Sequence, residues 1–172
     1  GGIGMSALAR YFFTIGKYVA GYDKTRNRIT TDLEKLGIQI HFNDSLGLIP
    51  ENFKHKNTTL VVYTPAVSSD HSELKFFTNN GFLVMKRAEV LGLITKDTFC
   101  FAVAGTHGKT TTSAILGHIM QPYNATSFLG GISENYGSNL ILGAEEVSVV
   151  EADEFDIKKR LTVMDEKIDQ LQ

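Results

Sequence analysis

The stretch TFCFAVAGTHGKTTTSAILGHIM, residues 98–120, decides the fold of this chain. Its first part, Thr98 to Val103, is apolar and predicts a buried strand, and its last part, Ser113 to Met120, predicts a helix. The turn between them carries two glycines and ends in Lys109-Thr110. Backbone N–H groups at a helix start attract an anion, the lysine adds a positive charge and the threonine hydroxyl can bind Mg2+. The stretch therefore predicts a nucleoside triphosphate site.

The turn differs from the common phosphate-binding loop, G-x-x-x-x-G-K-[ST], at one position. That motif requires a glycine at position 103, where this chain has Val103. The shorter form Gly105-x-x-Gly108-Lys-Thr remains. The alternative is an ordinary strand–turn–helix unit with a capping threonine. It is less favoured, because strand, glycines, Lys-Thr and helix stand in the order that phosphate binding requires.

The composition is that of an ordinary globular protein. The chain has 172 residues, of which 42% are hydrophobic and 21% charged, enough for one large or two small domains. Its net charge of −2 gives no electrostatic reason to expect nucleic acid or an anionic membrane as a partner. The single cysteine, Cys100, excludes an intrachain disulfide and fits a reducing compartment. We therefore expect a cytoplasmic protein that binds neither nucleic acid nor a membrane.

Short apolar runs alternate with helical patterns through the first half of the chain. This rhythm predicts a parallel sheet with helices on both faces, a Rossmann-like α/β domain over residues 1–97. A boundary near Lys96-Asp97 precedes part of a P-loop-type α/β ATP-binding domain over residues 98–156, in which Gly130 to Gly143 are expected to form a loop. The predicted elements are strands at 18–22, 38–42, 59–63, 82–84 and 146–150, a helix that ends at Gly16, and helices at 29–36, 72–79 and 87–95.

A second glycine turn, Gly1-Gly2-Ile3-Gly4, stands before the first helix. It matches the end of the dinucleotide motif G-x-G-x-x-G, and Asp23 follows the next predicted strand near the offset of a ribose-binding acid. Taken alone, the first half of the chain predicts a dinucleotide site. Because the second half carries a triphosphate loop, the first half is better interpreted as a second nucleotide site. A tight turn with a solvent-exposed aspartate is the alternative.

Four carboxylates follow the last predicted strand, in the sequence Glu151-Ala-Asp-Glu-Phe-Asp156. Ligands of an open parallel sheet gather at the carboxyl ends of its strands. Glu151 is the first acid beyond the strand and the best placed to bind Mg2+ through oxygen. A charged, solvated loop is the alternative.

The tail, residues 157–172, has an amphipathic helical pattern. Apolar residues recur at three- and four-residue steps, which predicts a helix that packs on the domain or on a partner chain. This helix is one candidate surface for self-association, and an unpaired sheet edge is another. The apolar positions are Leu161, Met164, Ile168 and Leu171.

The chain resembles the Mur ligases of bacterial peptidoglycan synthesis. The order and spacing of six motifs agree with that family from residue 1 to about residue 156. Mur ligases are considerably longer, multidomain enzymes, so the resemblance implies that a later metal-binding motif, the adenine-contacting region and the amino-acid domain are absent from these residues. The matching motifs are GGIGMS at 1–6, YTPAV at 63–67, KRAE at 86–89, GTHGKTTT at 105–112, Gly130-Gly131 with Asn139, and EADE at 151–154.

The resemblance implies an ATP-dependent carboxylate–amine ligase that acts through an acyl phosphate. The GTHGKT and GGIGMS forms favour the family members that join L-alanine to UDP-N-acetylmuramate. Members that add a tripeptide to the same sugar nucleotide, and a non-catalytic module that binds UDP-sugar or nucleotide, are the alternatives. A nicotinamide dehydrogenase is more distant, because the Lys-Thr loop argues against it. We expect this chain alone to have little ligase activity.

The resemblance also implies roles for individual residues. Gly105, Thr106, Gly108, Lys109, Thr110 and Thr111 would bind ATP phosphates, and Thr110 and Glu151 would bind Mg2+. Lys109, His107 and Glu151 would be catalytic, with His107 facing the muramate end of the substrate unless it is only a structural turn residue. The UDP-sugar would contact Gly2, Gly4, Met5, Ser6, Asp23, Thr64, Pro65, Ala66, Val67 and Asn139.

Overall fold

The computed structural model describes residues 1–144 and 146–151. Within them the chain alternates helices and mainly parallel strands, so the α/β class predicted from the sequence is confirmed. Two compact units divide the chain, one spanning Gly1–Ile94 and the other beginning at Thr95. The tail at 157–172, with its predicted helix, lies outside the described residues.

The first unit contains two separate pairs of parallel strands. Strand β1 pairs with β2, and β3 pairs with β4. Two short 3-10 turns, Leu46–Leu48 and Glu51–Phe53, lie between the pairs along the sequence. The helices and strands are α1 Ile3–Thr14, β1 Ala20–Tyr22, α2 Arg28–Lys35, β2 Gln39–His41, β3 Leu60–Tyr63, α3 Ser72–Asn79, β4 Leu83–Lys86 and α4 Arg87–Thr95.

Local sequence signals account for the ends of these helices. At the start of α2, the Asn27 side chain accepts a hydrogen bond from the Thr30 backbone, and the Thr30 hydroxyl accepts one from the Asn27 backbone. Such a reciprocal cap satisfies two backbone donors, and its loss costs about 1 kcal/mol. Gly37, with φ of 96°, ends the same helix in the left-handed region that glycine adopts readily. The apolar face of α1 buries Ala7 and Leu8.

The second unit contains a four-stranded sheet and one long helix. The strand order is β5-β8-β6-β7, with β5, β8 and β6 parallel and β7 antiparallel at one edge. Fully or almost fully buried side chains of β6 and β8, including Leu129 and Val149, form its core. Its elements are β5 Phe99–Val103, α5 Lys109–Ile119, a 3-10 turn at Gln121–Tyr123, β6 Thr126–Ser133, β7 Ser138–Ile141 and β8 Val147–Glu151.

One expectation about this unit was wrong. Gly130 to Gly143 do not form a loop, because β6 and β7 pair there as a hairpin whose turn contains Gly137 at φ 57°. Glycine is common in turns and loops, which is why the sequence predicts a loop there. In a strand, glycine instead permits another group to approach the backbone closely, and a Cβ on Gly130 would overlap the Glu151 carboxylate.

The boundaries of α5 also differ from the expected ones. The helix begins at Lys109 and not at Ser113. The run Thr110-Thr111-Thr112 has low intrinsic helix propensity, since β-branched side chains lose freedom against the preceding turn. Packing of α5 on the sheet overrides this preference. No helix in the described part of the chain combines the length and apolar character that a membrane crossing requires.

Candidate functional site

The loop between β5 and α5 depends on two glycines. Gly105 has φ of 146° and Gly108 has φ of 76°, values that a residue with a Cβ adopts only with strain. Residues 104–108 are all exposed. The two glycines therefore shape a loop whose backbone faces solvent and is accessible to a ligand.

The start of α5 leaves backbone donors for an anion. Gly108 is the residue before the helix and has no side chain to cap it. The Thr112 N–H donates to the Gly108 carbonyl at 2.9 Å, so the N–H groups of the three preceding helical residues have no acceptor within the helix. Together with the positive end of the helix dipole, these groups form a phosphate-binding geometry.

Lys109 places its charge across the loop. Its Nζ donates a hydrogen bond to the Gly105 carbonyl at 2.8 Å, which ties the first helical residue to the first glycine. The ammonium group therefore lies next to the backbone that would surround a phosphate. The neighbouring His107 and Thr106 side chains are exposed, and His107 Nδ1 lies 3.2 Å from Thr106 Oγ1. A contact between His107 and the muramate end of a substrate stays a prediction.

Glu151 ends β8 beside this loop. The register of the parallel pair β5–β8 sets Glu151 opposite Val103, the last residue of β5 before the loop. Glu151 is half-buried, and its Oε1 accepts a hydrogen bond from the Ser113 hydroxyl of α5 at 3.3 Å. The carboxylate therefore lies at the carboxyl ends of two parallel strands, where an open sheet binds its ligands.

Two successive glycines of β6 lie against the two residues that carry the candidate metal ligands. A Cβ on Gly130 would overlap the Glu151 carboxylate, and a Cβ on Gly131 would lie 2.7 Å from the Thr110 methyl group. Thr110 and Glu151 thus approach adjacent positions of one strand. A hydroxyl and a carboxylate are hard oxygen donors that suit Mg2+, which commonly takes one or two protein ligands and completes its shell with phosphate and water. Within residues 1–144 and 146–151 no group of three or more His, Cys, Asp or Glu side chains is arranged to hold a metal ion.

The first unit has a glycine turn of its own at the start of α1. Gly2, with φ of 88°, precedes the helix and has no side chain to cap it. A Cβ on Gly4 would lie 3.1 Å from Cδ and 3.3 Å from Cζ of Arg87, so the arginine packs directly against the turn. A Cβ on Gly1 would lie 2.7 Å from Asp23 Oδ2. The turn therefore has an arginine and an aspartate as close neighbours.

The Thr64–Val67 segment leaves the sheet at the same edge as Arg87. The β3–β4 register pairs Tyr63 with Lys86, so Thr64 and Arg87 are the next residues at the carboxyl ends of two adjacent strands. Thr64 accepts a hydrogen bond from the Val67 N–H through its carbonyl at 3.0 Å and from the Ala66 N–H through its hydroxyl at 3.3 Å. Pro65 and Ala66 are exposed at the tip of this turn.

Two of the expected substrate contacts are buried. The Ser6 side chain is 2% exposed and donates to the Ile3 carbonyl at 2.7 Å, while Asn139 in β7 is 0% exposed. Met5 is half-buried. The roles of these three residues in binding UDP-sugar stay predictions, and the structure gives Ser6 and Asn139 positions inside the fold.

Sequence reasoning missed two residues at these sites. Arg87 was part of a family motif but was given no role, although its position directly after a strand could have drawn attention to it. Ser113 was interpreted only as the start of a helix. It stands three residues after Thr110 and four before Gly117, a spacing that sets all three on one helical face.

Comparisons with known proteins agree with this geometry. The family model "Mur ligase family, catalytic domain" matches residues 1–98. The chain is 62% identical over 158 residues to the UDP-N-acetylmuramate–L-alanine ligase of Flavobacterium johnsoniae, covering 91% of this chain and 35% of the relative. The corresponding ligase of Parabacteroides distasonis is 56% identical over 159 residues, with 91% and 34% covered.

Two solved structures have the same fold over most of the chain. The UDP-N-acetylmuramate-alanine ligase of Thermotoga maritima aligns with a TM-score of 0.75 and 32% identity, covering 88% of this chain and 35% of that one. The UDP-N-acetylmuramate:L-alanyl-gamma-D-glutamyl-meso-diaminopimelate ligase of Neisseria meningitides aligns with a TM-score of 0.77 and 26% identity, covering 90% and 50%. These matches, with the parallel strand pairs, confirm the predicted α/β fold with a Rossmann-like N-terminal domain.

Proposed function

The chain belongs to the Mur ligase family, and we propose that it forms part of an ATP-dependent ligase that joins L-alanine to UDP-N-acetylmuramate. The family resemblance inferred from the sequence is thereby confirmed. The chain spans about 35% of the length of the curated relatives it matches, so the activity, substrates and partners of the whole enzyme are proposals for this chain.

One observation in particular supports the ATP half of this proposal. A glycine loop with open backbone donors, a lysine bound across it and a carboxylate at the neighbouring strand end occur together. Each alone has a simpler explanation, but together they supply donors, a cation and a metal ligand for one triphosphate. We propose that Gly105, Thr106, Gly108, Lys109, Thr110 and Thr111 bind the phosphates of ATP.

The proposed reaction has two steps. An oxygen of the muramate carboxylate attacks the γ-phosphorus of ATP, ADP leaves, and an acyl phosphate remains. The amine of L-alanine then attacks the acyl carbon, phosphate leaves, and an amide bond has formed. Carboxylate and triphosphate repel each other, so this chemistry depends on positioning and charge neutralisation.

The residues of the second unit are suited to that task. The N–H groups at the start of α5 and the Lys109 ammonium hold and neutralise the phosphates. Thr110 and Glu151 would hold Mg2+, which when bound supplies further positive charge to the phosphate oxygens. His107, in the exposed part of the loop, is proposed to face the muramate end of the substrate.

The first unit is proposed to bind the UDP-sugar. The start of α1 and the guanidinium of Arg87 offer donors and charge to a diphosphate, in the bidentate geometry that arginine favours. We propose that Asp23, beside Gly1, contacts the uridine part of the UDP-sugar. The Thr64–Val67 turn is proposed to contact the remainder of this ligand. The domain assignments at 1–97 and 98–156 stay predictions, as does a cytoplasmic location.

Sequence identity favours L-alanine over a tripeptide as the acceptor. The two curated relatives described above, at 62% and 56% identity, are alanine ligases, and of the two solved structures the alanine ligase is 32% identical and the other ligase 26%. The fold itself does not distinguish the two, since the TM-scores are 0.75 and 0.77. Alanine is therefore the proposed acceptor of the whole enzyme.

Association of two copies also stays a prediction. Among the described residues strand β5 lies at an edge of its sheet, and Phe99 on it is 70% exposed. An unpaired edge invites pairing with another chain. Sedimentation of the chain at several concentrations tests this directly.

An assay of ADP release tests the proposed function. The chain is incubated with Mg·ATP, UDP-N-acetylmuramate and L-alanine beside a full-length alanine ligase, and nucleotide binding is measured by calorimetry in parallel. We expect the chain to bind both nucleotides and to release far less ADP than the full-length enzyme. Equal ADP release would contradict the expected low activity, and binding of UDP-sugar without ATP would support a non-catalytic module instead.

A further inference from the structure

We infer that Ser113 is a positioning residue that fixes the Glu151 carboxylate relative to Thr110, and that Gly130 supplies the space this carboxylate occupies. The inference rests on the proposed function, because it concerns the Mg2+ that Thr110 and Glu151 would bind. It assigns roles to two residues that do not themselves contact the metal.

Ser113 links the backbone of Thr110 to the side chain of Glu151 through one hydroxyl group. Its Oγ lies 3.1 Å from the Thr110 carbonyl and 3.3 Å from Glu151 Oε1. A serine hydroxyl has a single proton, whereas a carbonyl and an ionised carboxylate can only accept. The proton is therefore shared between the helical turn that carries Thr110 and the strand end that carries Glu151. Ser113 is 0% exposed, so water does not compete for this hydrogen bond.

Close packing of α5 on the sheet brings Ser113 within reach of Glu151. Gly117, one helical turn further along the same face, is buried against β6. A Cβ at Gly117 would lie 2.7 Å from Ser127 Oγ and 3.4 Å from Ile141 Cδ1. The absence of a side chain at this position therefore lets the helix approach the sheet closely enough for a residue as short as serine to contact the carboxylate.

Gly130 completes the arrangement from the side of β6. Any Cβ at this position would overlap the Glu151 carboxylate, and one at Gly131 would press on the Thr110 methyl group at 2.7 Å. The carboxylate is therefore confined between the α5 hydroxyl and the β6 backbone. Because Ser113 engages only Oε1, lone pairs on both carboxylate oxygens remain for a metal.

A carboxylate held in this way binds a metal with less loss of side-chain freedom. Groups that hydrogen-bond a metal ligand orient it, and their removal typically weakens metal binding by about 10- to 100-fold. Ser113→Ala removes the hydrogen bond while leaving the small volume that α5 packing requires.

Ser127→Ala is a matched control. Ser127 is also 0% exposed and lies in the same interface of α5 and β6, but its hydroxyl has no hydrogen-bond partner among the described residues. Its removal should leave metal binding unchanged, because no bond to Glu151 is lost. Thermal unfolding of both variants checks that they remain folded.

The test measures binding of Mn2+ and ATP by the 172-residue chain. Electron paramagnetic resonance reports bound Mn2+ in the presence of ATP, and calorimetry in EDTA reports metal-free ATP binding. We expect Ser113→Ala to weaken Mn2+ binding about 10- to 100-fold, the usual effect of removing a group that orients a metal ligand, while metal-free ATP binding stays the same. Gly130→Ala should weaken it as well, because its methyl group displaces the carboxylate.

Four other results would overturn the inference. If Ser113→Ala binds Mn2+ as tightly as the unmodified chain, or if Ser113→Ala and Ser127→Ala weaken it equally, the positioning role is overturned. An equal loss of metal-free ATP binding in Ser113→Ala would show a general structural role and would also overturn it. If the unmodified chain binds no Mn2+ and no ATP, the proposed function itself fails, and the inference with it.

Discussion

The two glycine turns of this chain each place a glycine at positive φ before a helix, but the side chains around them differ. Gly2 stands before a helix of 12 residues and Gly108 before one of 11. Both glycines have positive φ, and neither helix start has a side-chain cap. Gly108 is followed by Lys109, which reaches across its own loop, and a carboxylate ends the neighbouring strand. Gly2 is followed by uncharged residues, and its charged neighbours, Arg87 and Asp23, come from other elements of the first unit.

The difference indicates what selects the ligand. Both helix starts can attract phosphate, because the positive end of a helix dipole lies at each. A lysine within the loop, together with a hydroxyl and a carboxylate, suits a triphosphate with its metal. An arginine and an aspartate without a metal-ligand pair suit a diphosphate joined to a ribose. The side chains around the turn, rather than the turn itself, therefore distinguish the two proposed sites.

The largest expected effect is at Lys109. Lys109→Ala removes a charged hydrogen-bond donor worth about 1.5–3 kcal/mol, so Mg·ATP binding should weaken by roughly 10- to 100-fold. Binding of UDP-N-acetylmuramate should not change, because the residue belongs to the other turn. Calorimetric titration with each nucleotide measures both. Equal weakening of the two would mean that the turns do not act as separate sites.

The matching substitution in the first unit is at Arg87, and it should affect UDP-sugar binding and not ATP binding. Arg87→Ala removes the guanidinium that packs against Gly4, and UDP-sugar binding should weaken by about tenfold, as for loss of one charged contact. ATP binding should stay as in the unmodified chain. Arg87→Lys is the matched variant: it retains the charge but not the planar donor pair, so it should recover only part of the affinity. Full recovery by lysine would show that charge alone is needed.

A smaller effect concerns the stability of the first unit. Asp44 accepts hydrogen bonds from the backbone N–H groups of Ser72 at 2.8 Å and Glu73 at 3.3 Å, and so caps α3 from a distant segment. Partial burial alone would raise the pKa of Asp44, but these N–H groups and the nearby His71 outweigh it and lower the pKa below its ordinary value. Loss of the cap in Asp44→Ala should reduce the free energy of unfolding by about 1 kcal/mol at neutral pH.

The sign of the pH dependence follows from the lowered pKa. Ionised Asp44 stabilises the fold above the ordinary carboxyl pKa of about 4, and this contribution is lost as the pH falls through the lowered folded-state value. Urea unfolding at pH 7 and at successively lower pH should therefore show the unmodified chain and Asp44→Ala converging in acid. Asp32→Ala, which removes the surface pairs with Arg28 and Lys35, is the control. A difference that stays constant to low pH would exclude an ionic contribution from Asp44.

Much of the fold could be predicted from local patterns. The bounds of α3 at Ser72–Asn79 and α4 at Arg87–Thr95 agree with the sequence pattern, since apolar spacing and flanking glycine or strand signals are local. The position of Glu151 at a strand end was also expected from its place after an apolar run. These features depend on nearby residues alone.

The rest depends on contacts between residues far apart in the sequence. From the sequence alone, Gly130 is typical of a turn. The close approach of the Glu151 carboxylate explains why a strand has glycine at this position. The hydrogen bond between Ser113 and Glu151 joins residues 38 positions apart, and Arg87 reaches a turn at the start of the chain. Side-chain roles of this kind follow from packing, which periodicity does not specify.

The most direct measurement of the two-site account is a calorimetric titration of the chain with UDP-N-acetylmuramate, made once alone and once with saturating Mg·ATP. If the two turns form separate sites, the sugar nucleotide binds with a one-to-one stoichiometry in both titrations. If ATP displaces the sugar nucleotide, or if only one of the two nucleotides binds at all, the chain does not hold two distinct nucleotide sites.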